Sequence, residues 1–189
     1  MRNKPRHLPK PDTRRKPFPS FWIYIGLAAL ILAVYGKVTG FDFTTYDDQI
    51  YVTQNPHIKV LSLGSLSWAI TSGYAANWHP LTWVSHMLDF YLFGLDGGPH
   101  HWTSLILHAL SSMLLFAVLL RTTRAFWRAA LVAGFFALHP LRVESVAWIA
   151  ERKDTLSTFF SMLTILWYAR YVERPNALRY LSVLAALAL

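Results

Sequence analysis

The sequence predicts an all-α integral membrane protein, a bundle of about four to five transmembrane helices with a long first external loop that carries interfacial helices. Three observations carry that prediction. Of the 189 residues, 54% are hydrophobic and only 15% are charged, where soluble domains run at about a quarter charged. Several uncharged runs approach the ~20 residues that cross a bilayer. Trp, Tyr and Phe, at 8, 9 and 12 copies, supply the aromatic belts of a water–lipid boundary. The chain has no cysteine, which excludes disulfides and thiolate metal sites.

The elements follow in order. Residues 1–20 form a basic tail, with Arg2, Lys4, Arg6, Lys10, Arg14, Arg15 and Lys16 against one acid, Asp12. Its prolines predict an extended, disordered segment. Such a tail can bind nucleic acid, but directly before an apolar span it reads as a topology signal that holds the N-terminus in the cytoplasm. No nucleic-acid partner is expected. Helix one follows at about 21–38; its length and the poor cleavage context Gly36-Lys37-Val38 favour a retained span over a signal peptide. An external loop covers residues 39–101, helix two about 102–120, helix three about 127–140, a second external loop 141–154, helix four about 155–171 and an incomplete helix five about 177–189. Arg121, Arg124 and Arg128 in the turn after helix two support the same orientation as the tail. The last apolar run is cut at Leu189, so the chain reads as the N-terminal part of a longer protein or a truncated gene product.

Within the first loop, Val84, Met87, Leu88, Tyr91 and Leu92 recur at helical spacing, with Ser85, His86 and Asp89 opposite. That pattern describes an amphipathic helix lying in the interface on its apolar face. Gly94–Pro99 then breaks it, and His100-His101 stands where helix two begins. His108, inside helix two, is expected to contact a neighbouring helix. Trp68, Trp78, Trp83, Trp102 and Trp148 are assigned to the interface.

Two constellations could do chemistry. The first is Asp47-Asp48, just past helix one. Its plain explanation is a solvated turn or helix cap. Its functional explanation is a general base beside a lipid-borne substrate, with one carboxylate taking the proton and the other orienting or sharing charge. Either aspartate fits either role. Adjacent residues point about 100° apart on a helix, so both reach one site only from a helix start or irregular backbone. The second is the run His139 to Asp154. Arg142, Arg152 and Lys153 gather on a side that the positive-inside rule leaves poor in cations. A head-group phosphate would account for them; so would local ion pairs such as Glu151 with Arg152 or Asp154 with Lys153. Glu144 and Glu151, two helical turns apart, would share a face and position these cations or an acceptor. His79 and His139, in matching His-Pro-Leu runs, are supporting candidates. A metal has weak support: His86 and Asp89 have helical ligand spacing, but no second motif supplies the four ligands of a closed site. No cofactor is expected.

The segments Tyr46–Pro56, Asn77–Thr82, His101–Ala109 and His139–Asp154 together resemble the transmembrane-and-tetratricopeptide-repeat proteins, in a form like that of bacterial members. That family is similar to the protein O-mannosyltransferases and to the GT-C glycosyltransferases. The resemblance covers about residues 41–171. It implies a GT-C-like bundle in a bacterial inner membrane, with the first loop periplasmic. It implies transfer, with inversion, from a polyprenyl-phosphate-linked sugar donor to a hydroxyl acceptor such as a protein Ser or Thr. The family's acidic pair falls on Asp47 and Asp48, where protein O-mannosyltransferases carry Asp-Glu; Asp48 departs in side-chain length. The resemblance implies further helices and repeats beyond these 189 residues. A non-catalytic membrane anchor or scaffold for a tetratricopeptide-repeat protein, or an inactive fragment, is the rival, and a transporter the third class.

Overall fold

The structure is a computed structural model that describes residues 20–189; the basic tail lies, but for Ser20, outside the described residues. Every regular element is helical: α1 Phe21–Tyr35, α2 Leu63–Thr71, α3 Pro80–Phe93, α4 Gly97–Thr123, α5 Phe126–Leu138, α6 Val143–Ala147, α7 Arg152–Glu173 and α8 Ala177–Ala188. The chain is an all-α membrane protein. Among the described residues, α1 with its 3₁₀ extension (Phe21–Gly40) and α4 are long and apolar enough to cross a bilayer, and α5 with Pro140–Ala147 makes a third span if that pair, bent by 53°, counts as one. This is fewer than the four to five spans expected. α7 is long enough at 22 residues, but it opens on Arg152, Lys153 and Asp154 and closes on Arg170 and Glu173. α8 is apolar but has only 12 residues.

Local signals explain the boundaries. α4 begins at Gly97, ahead of the expected Trp102, because Asp96 caps it by accepting from the Gly98 N–H at 3.2 Å. Gly-Gly-Pro, which reads as a breaker, is here the first turn, where the N–H that proline lacks has no helical partner anyway. The glycines are required by packing: a Cβ on Gly97 would lie 2.9 Å from the Phe41 carbonyl oxygen, and one on Gly98 2.6 Å from that of Thr39. Both His-Pro-Leu runs start a helical turn with proline at its first position. Asn176 caps α8 by accepting from the Arg179 N–H at 2.9 Å.

Two cores form. In the bundle, Leu27, Ile31 and Tyr35 of α1 pack with Leu105 and Phe116 of α4 and with Ala129, Ala133 and Ala137 of α5. The alanines recur every fourth residue and let the helix axes approach closely. His108 does contact a neighbouring helix: its Nε2 pairs with the Ala137 carbonyl oxygen at 3.0 Å. The second core belongs to the loops, where Tyr51, Val52, Ile58, Ala69, Trp83 and Met87 enclose Ile149 and Ala150. Trp83 is fully buried there, a correction to its interfacial assignment; Trp78, by contrast, is exposed.

α3 is amphipathic as expected, except that Met87 of its apolar face is fully buried in the loop core. His86 and Asp89 are buried, whereas Leu88, Tyr91 and Leu92 are 48%, 69% and 57% exposed. Its exposed face is apolar, and its polar face packs against α4 and α7, where Arg152 meets Asp89.

Candidate functional site

Asp47 and Asp48 stand at the start of a short helical segment that continues as a wide π turn, Gln49–Thr53. Such single π turns recur at functional sites. The two carboxylates divide sharply. Asp48 is fully buried. Its Oδ2 accepts from the Thr44 N–H at 2.9 Å and the Thr44 hydroxyl at 3.2 Å. Its Oδ1 accepts from the Ala150 N–H at 2.8 Å, across 102 residues. Asp48 therefore bolts the first loop to the second. Asp47 is half-buried and bonds to no described residue. Beside them, Tyr46 lies on Trp148 with ring centres 5.9 Å apart.

Beneath this junction, Arg152 is fully buried and ion-paired through Nη1 with Asp89 Oδ2. Nη1 also donates to Ser85 Oγ at 3.2 Å, and Nη2 donates to the His100 carbonyl oxygen at 2.6 Å. Asp89 Oδ1 accepts from the Thr103 hydroxyl at 2.9 Å. One carboxylate and one guanidinium thus join α3, α4 and α7. Arg152, expected on a phosphate, is consumed by this pair. Asp89, weighed only as a weak metal ligand, is its partner, and 63 residues of sequence separate the two. No short-range signal could have matched them.

The remaining candidates fall into two groups. Lys153 pairs with Glu151 at 2.6 Å and lies 5.7 Å over the Tyr51 ring. Burial opposes the Lys153 charge, but the hydrogen bond and charge of Glu151 outweigh it and raise its pKa above the usual lysine value. His79 stacks on the other part of this group, 5.5 Å from Tyr51 and 4.6 Å from Trp83. Burial, and then the Lys153 charge, lower its pKa to about 4. His86 is buried with neither ring nitrogen partnered, and burial, reinforced by Arg152, pushes its pKa well below the usual value. Among the described residues no three His, Cys, Asp or Glu side chains gather as metal ligands would.

The other group lines an open cavity of about 640 Å³. Its apolar wall is Leu115, Val132, Phe135, Phe136 and Leu141, and its polar wall is His139, Arg142, Glu144, Ser145 and Asp154. The Arg142 guanidinium sits 4.5 Å over the Phe136 ring and pairs with no described carboxylate. Ser145 Oγ donates to Asp154 Oδ2 at 3.2 Å. Asp154 is therefore engaged by a hydroxyl, not by Lys153. His139, exposed, accepts the Leu141 N–H on Nδ1 at 3.3 Å. Glu144 and Glu151 do not share a face: α6 ends at Ala147, and Trp148 is extended (φ −100°, ψ 118°), so Glu151 belongs to a separate turn.

A helical membrane protein with an anchored acidic loop and a cationic, apolar-walled cavity is the class this architecture defines. Known proteins point the same way. The chain is 29% identical over 173 residues to the protein O-mannosyl-transferase Tmtc1 of Drosophila melanogaster, a match covering 86% of this chain and 20% of that protein. It is 26% identical over 183 residues to human protein O-mannosyl-transferase TMTC4, covering 84% and 24%, and 28% identical over 165 residues to human TMTC1, covering 79% and 18%. These are distant relatives, and the chain spans about a fifth of their length. No family model and no solved structure matches the chain.

Proposed function

We propose that the chain is the N-terminal portion of a membrane glycosyltransferase that moves a sugar from a polyprenyl-phosphate-linked donor to a hydroxyl acceptor such as a protein Ser or Thr. The observation that carries this reading is the division within the acidic pair. Asp48, buried and three times hydrogen-bonded, fixes the loop. Asp47, half-buried and unbonded, is the carboxylate free to act.

In this scheme Asp47 accepts the acceptor hydroxyl proton as the oxygen forms its bond to the anomeric carbon. The bond from that carbon to the phosphate oxygen breaks, the polyprenyl phosphate leaves, and the centre inverts. One base suffices, and the growing charge on the leaving phosphate needs a cation. Arg142 serves there, with the apolar wall of its cavity beside the isoprenoid. Arg152 acts indirectly, holding the loops through Asp89. Lys153, Glu151 and His79 border the acceptor side, and Glu144 and His139 border the donor cavity. No metal has a role in this scheme. The basic tail and the Arg121–Arg128 turn favour a cytoplasmic N-terminus, with the acidic loop on the far side of the membrane.

The test is transfer by the full-length protein in its own membrane. Asp47→Asn should lower the rate by about 10²–10⁴-fold with expression and melting temperature unchanged. Asp48→Asn should lower both stability and rate. Full activity in Asp47→Asn removes the base assignment, and full activity in both variants turns the reading to a non-catalytic scaffold.

A further inference from the structure

A second site lies at the opposite end of the bundle. α4 and α7 run away from the acidic loop, and α8 packs against the end of α7. A cavity of about 360 Å³ opens there, lined by Arg121, Arg170, Arg179, Ser182, Trp167 and Leu178. Six arginines crowd this end: Arg121, Arg124, Arg128, Arg170, Arg174 and Arg179. Across α5, α8 and the last turns of α4 and α7, Glu173 is the one carboxylate, and Arg121 pairs with it.

Part of this charge has a local use. Arg179 Nη1 donates to the carbonyl oxygens of Arg170 at 2.7 Å and Arg174 at 3.1 Å, closing the end of α7, where the helix dipole favours a cation. The Arg121–Glu173 pair is solvent-exposed, so it holds Arg121 only weakly. The Arg170 side chain lines the cavity and meets no described partner. A guanidinium unmatched by carboxylate, beside a hydroxyl and an apolar wall, matches a ligand that is anionic at one end and greasy at the other. Exposed Tyr168 and Leu181 extend the apolar surface outward.

The geometry points to a binding site for the phosphate of an anionic phospholipid in the leaflet on this side. Arg170 and Arg121 hold the phosphate, Ser182 donates a hydroxyl, and the acyl chains run along Trp167 and Leu178. A free phosphate would use the same arginines but would gain nothing from the apolar wall. Basic pockets between helices at a membrane face are built to take such head groups.

The experiment reconstitutes the chain in vesicles and reads Trp167, as the fluorescence difference from Trp167→Phe, while brominated phosphatidylglycerol or brominated phosphatidylcholine is added at equal mole fraction. Phosphatidylglycerol should quench more strongly, the preference should fall about fivefold for each arginine removed in Arg170→Gln and Arg121→Gln, and Arg170→Lys should keep part of it. Ser182→Glu, which places a carboxylate in the cavity with every arginine intact, should abolish it. Equal quenching by the two lipids overturns the proposal, as does a preference that survives the double arginine variant or Ser182→Glu. Loss of the preference on adding inorganic phosphate also overturns it, by making the site one for a free anion.

Discussion

The bundle and the loop layer above it are built by different rules. In the bundle, α1, α4 and α5 meet through apolar side chains and a row of alanines, and polar contacts such as His108 to the Ala137 carbonyl are few. In the loop layer, long-range polar bonds hold the parts together: Asp48 to Ala150, and Asp89 to Arg152, Thr103 and Ser85 by way of the guanidinium. Lipid offers the bundle no hydrophobic drive, so close packing must suffice. The loops have little regular structure, so a few buried charges fix their register. The proposed base Asp47 lies in this polar-bonded layer, next to the aspartate that anchors it.

The largest way to break this contrast is Arg152→Met. It leaves Asp89 as an unpaired buried carboxylate and should cost about 3–5 kcal/mol, seen as an early unfolding transition in detergent. A loss below about 1 kcal/mol would mean that the loop layer does not depend on the pair. The matching change in the bundle, His108→Leu, removes one interhelical hydrogen bond and should cost only about 0.6 kcal/mol; a cost equal to that of Arg152→Met would erase the distinction between the regions. The smallest effect is a pH dependence. His79 has a folded pKa of about 4 against an ordinary 6.5. Below pH 6.5 the unfolded chain takes up the proton first, so stability is intact above about 6.5 and declines as pH falls towards 4. Half exposure of His79 makes the slope shallow, and His79→Phe should flatten it in melting curves recorded across that window.

The spans α1 and α4 were legible because long uncharged apolar runs announce them, whereas charged ends disqualify α7 and shortness α8, which the sequence had counted. Helical periodicity likewise found α3 and both of its faces. It placed the apolar face in the interface, but it could not supply the partner of the polar face: Asp89 turns inward onto Arg152, 63 residues away, and Met87 is drawn inward with it. Glu144 and Glu151 have the spacing of one helix face, but the extended backbone at Trp148 separates them, and only the loop packing imposes that. The acidic pair was visible as a pair. Its division was not, since Asp48 is singled out by an amide 102 residues away.

Gly97 and Gly98 have one further consequence. They seat the backbone of α4 directly on the backbone of residues 39–42, with no side chain between. A side chain at such a joint could rotate and absorb a displacement; bare backbone cannot. A tilt of the 27-residue α4 in the bilayer therefore reaches the strand of chain leading to Asp47 undamped. The joint is a stiff coupling, and a single added methyl group there would be felt at the carboxylates.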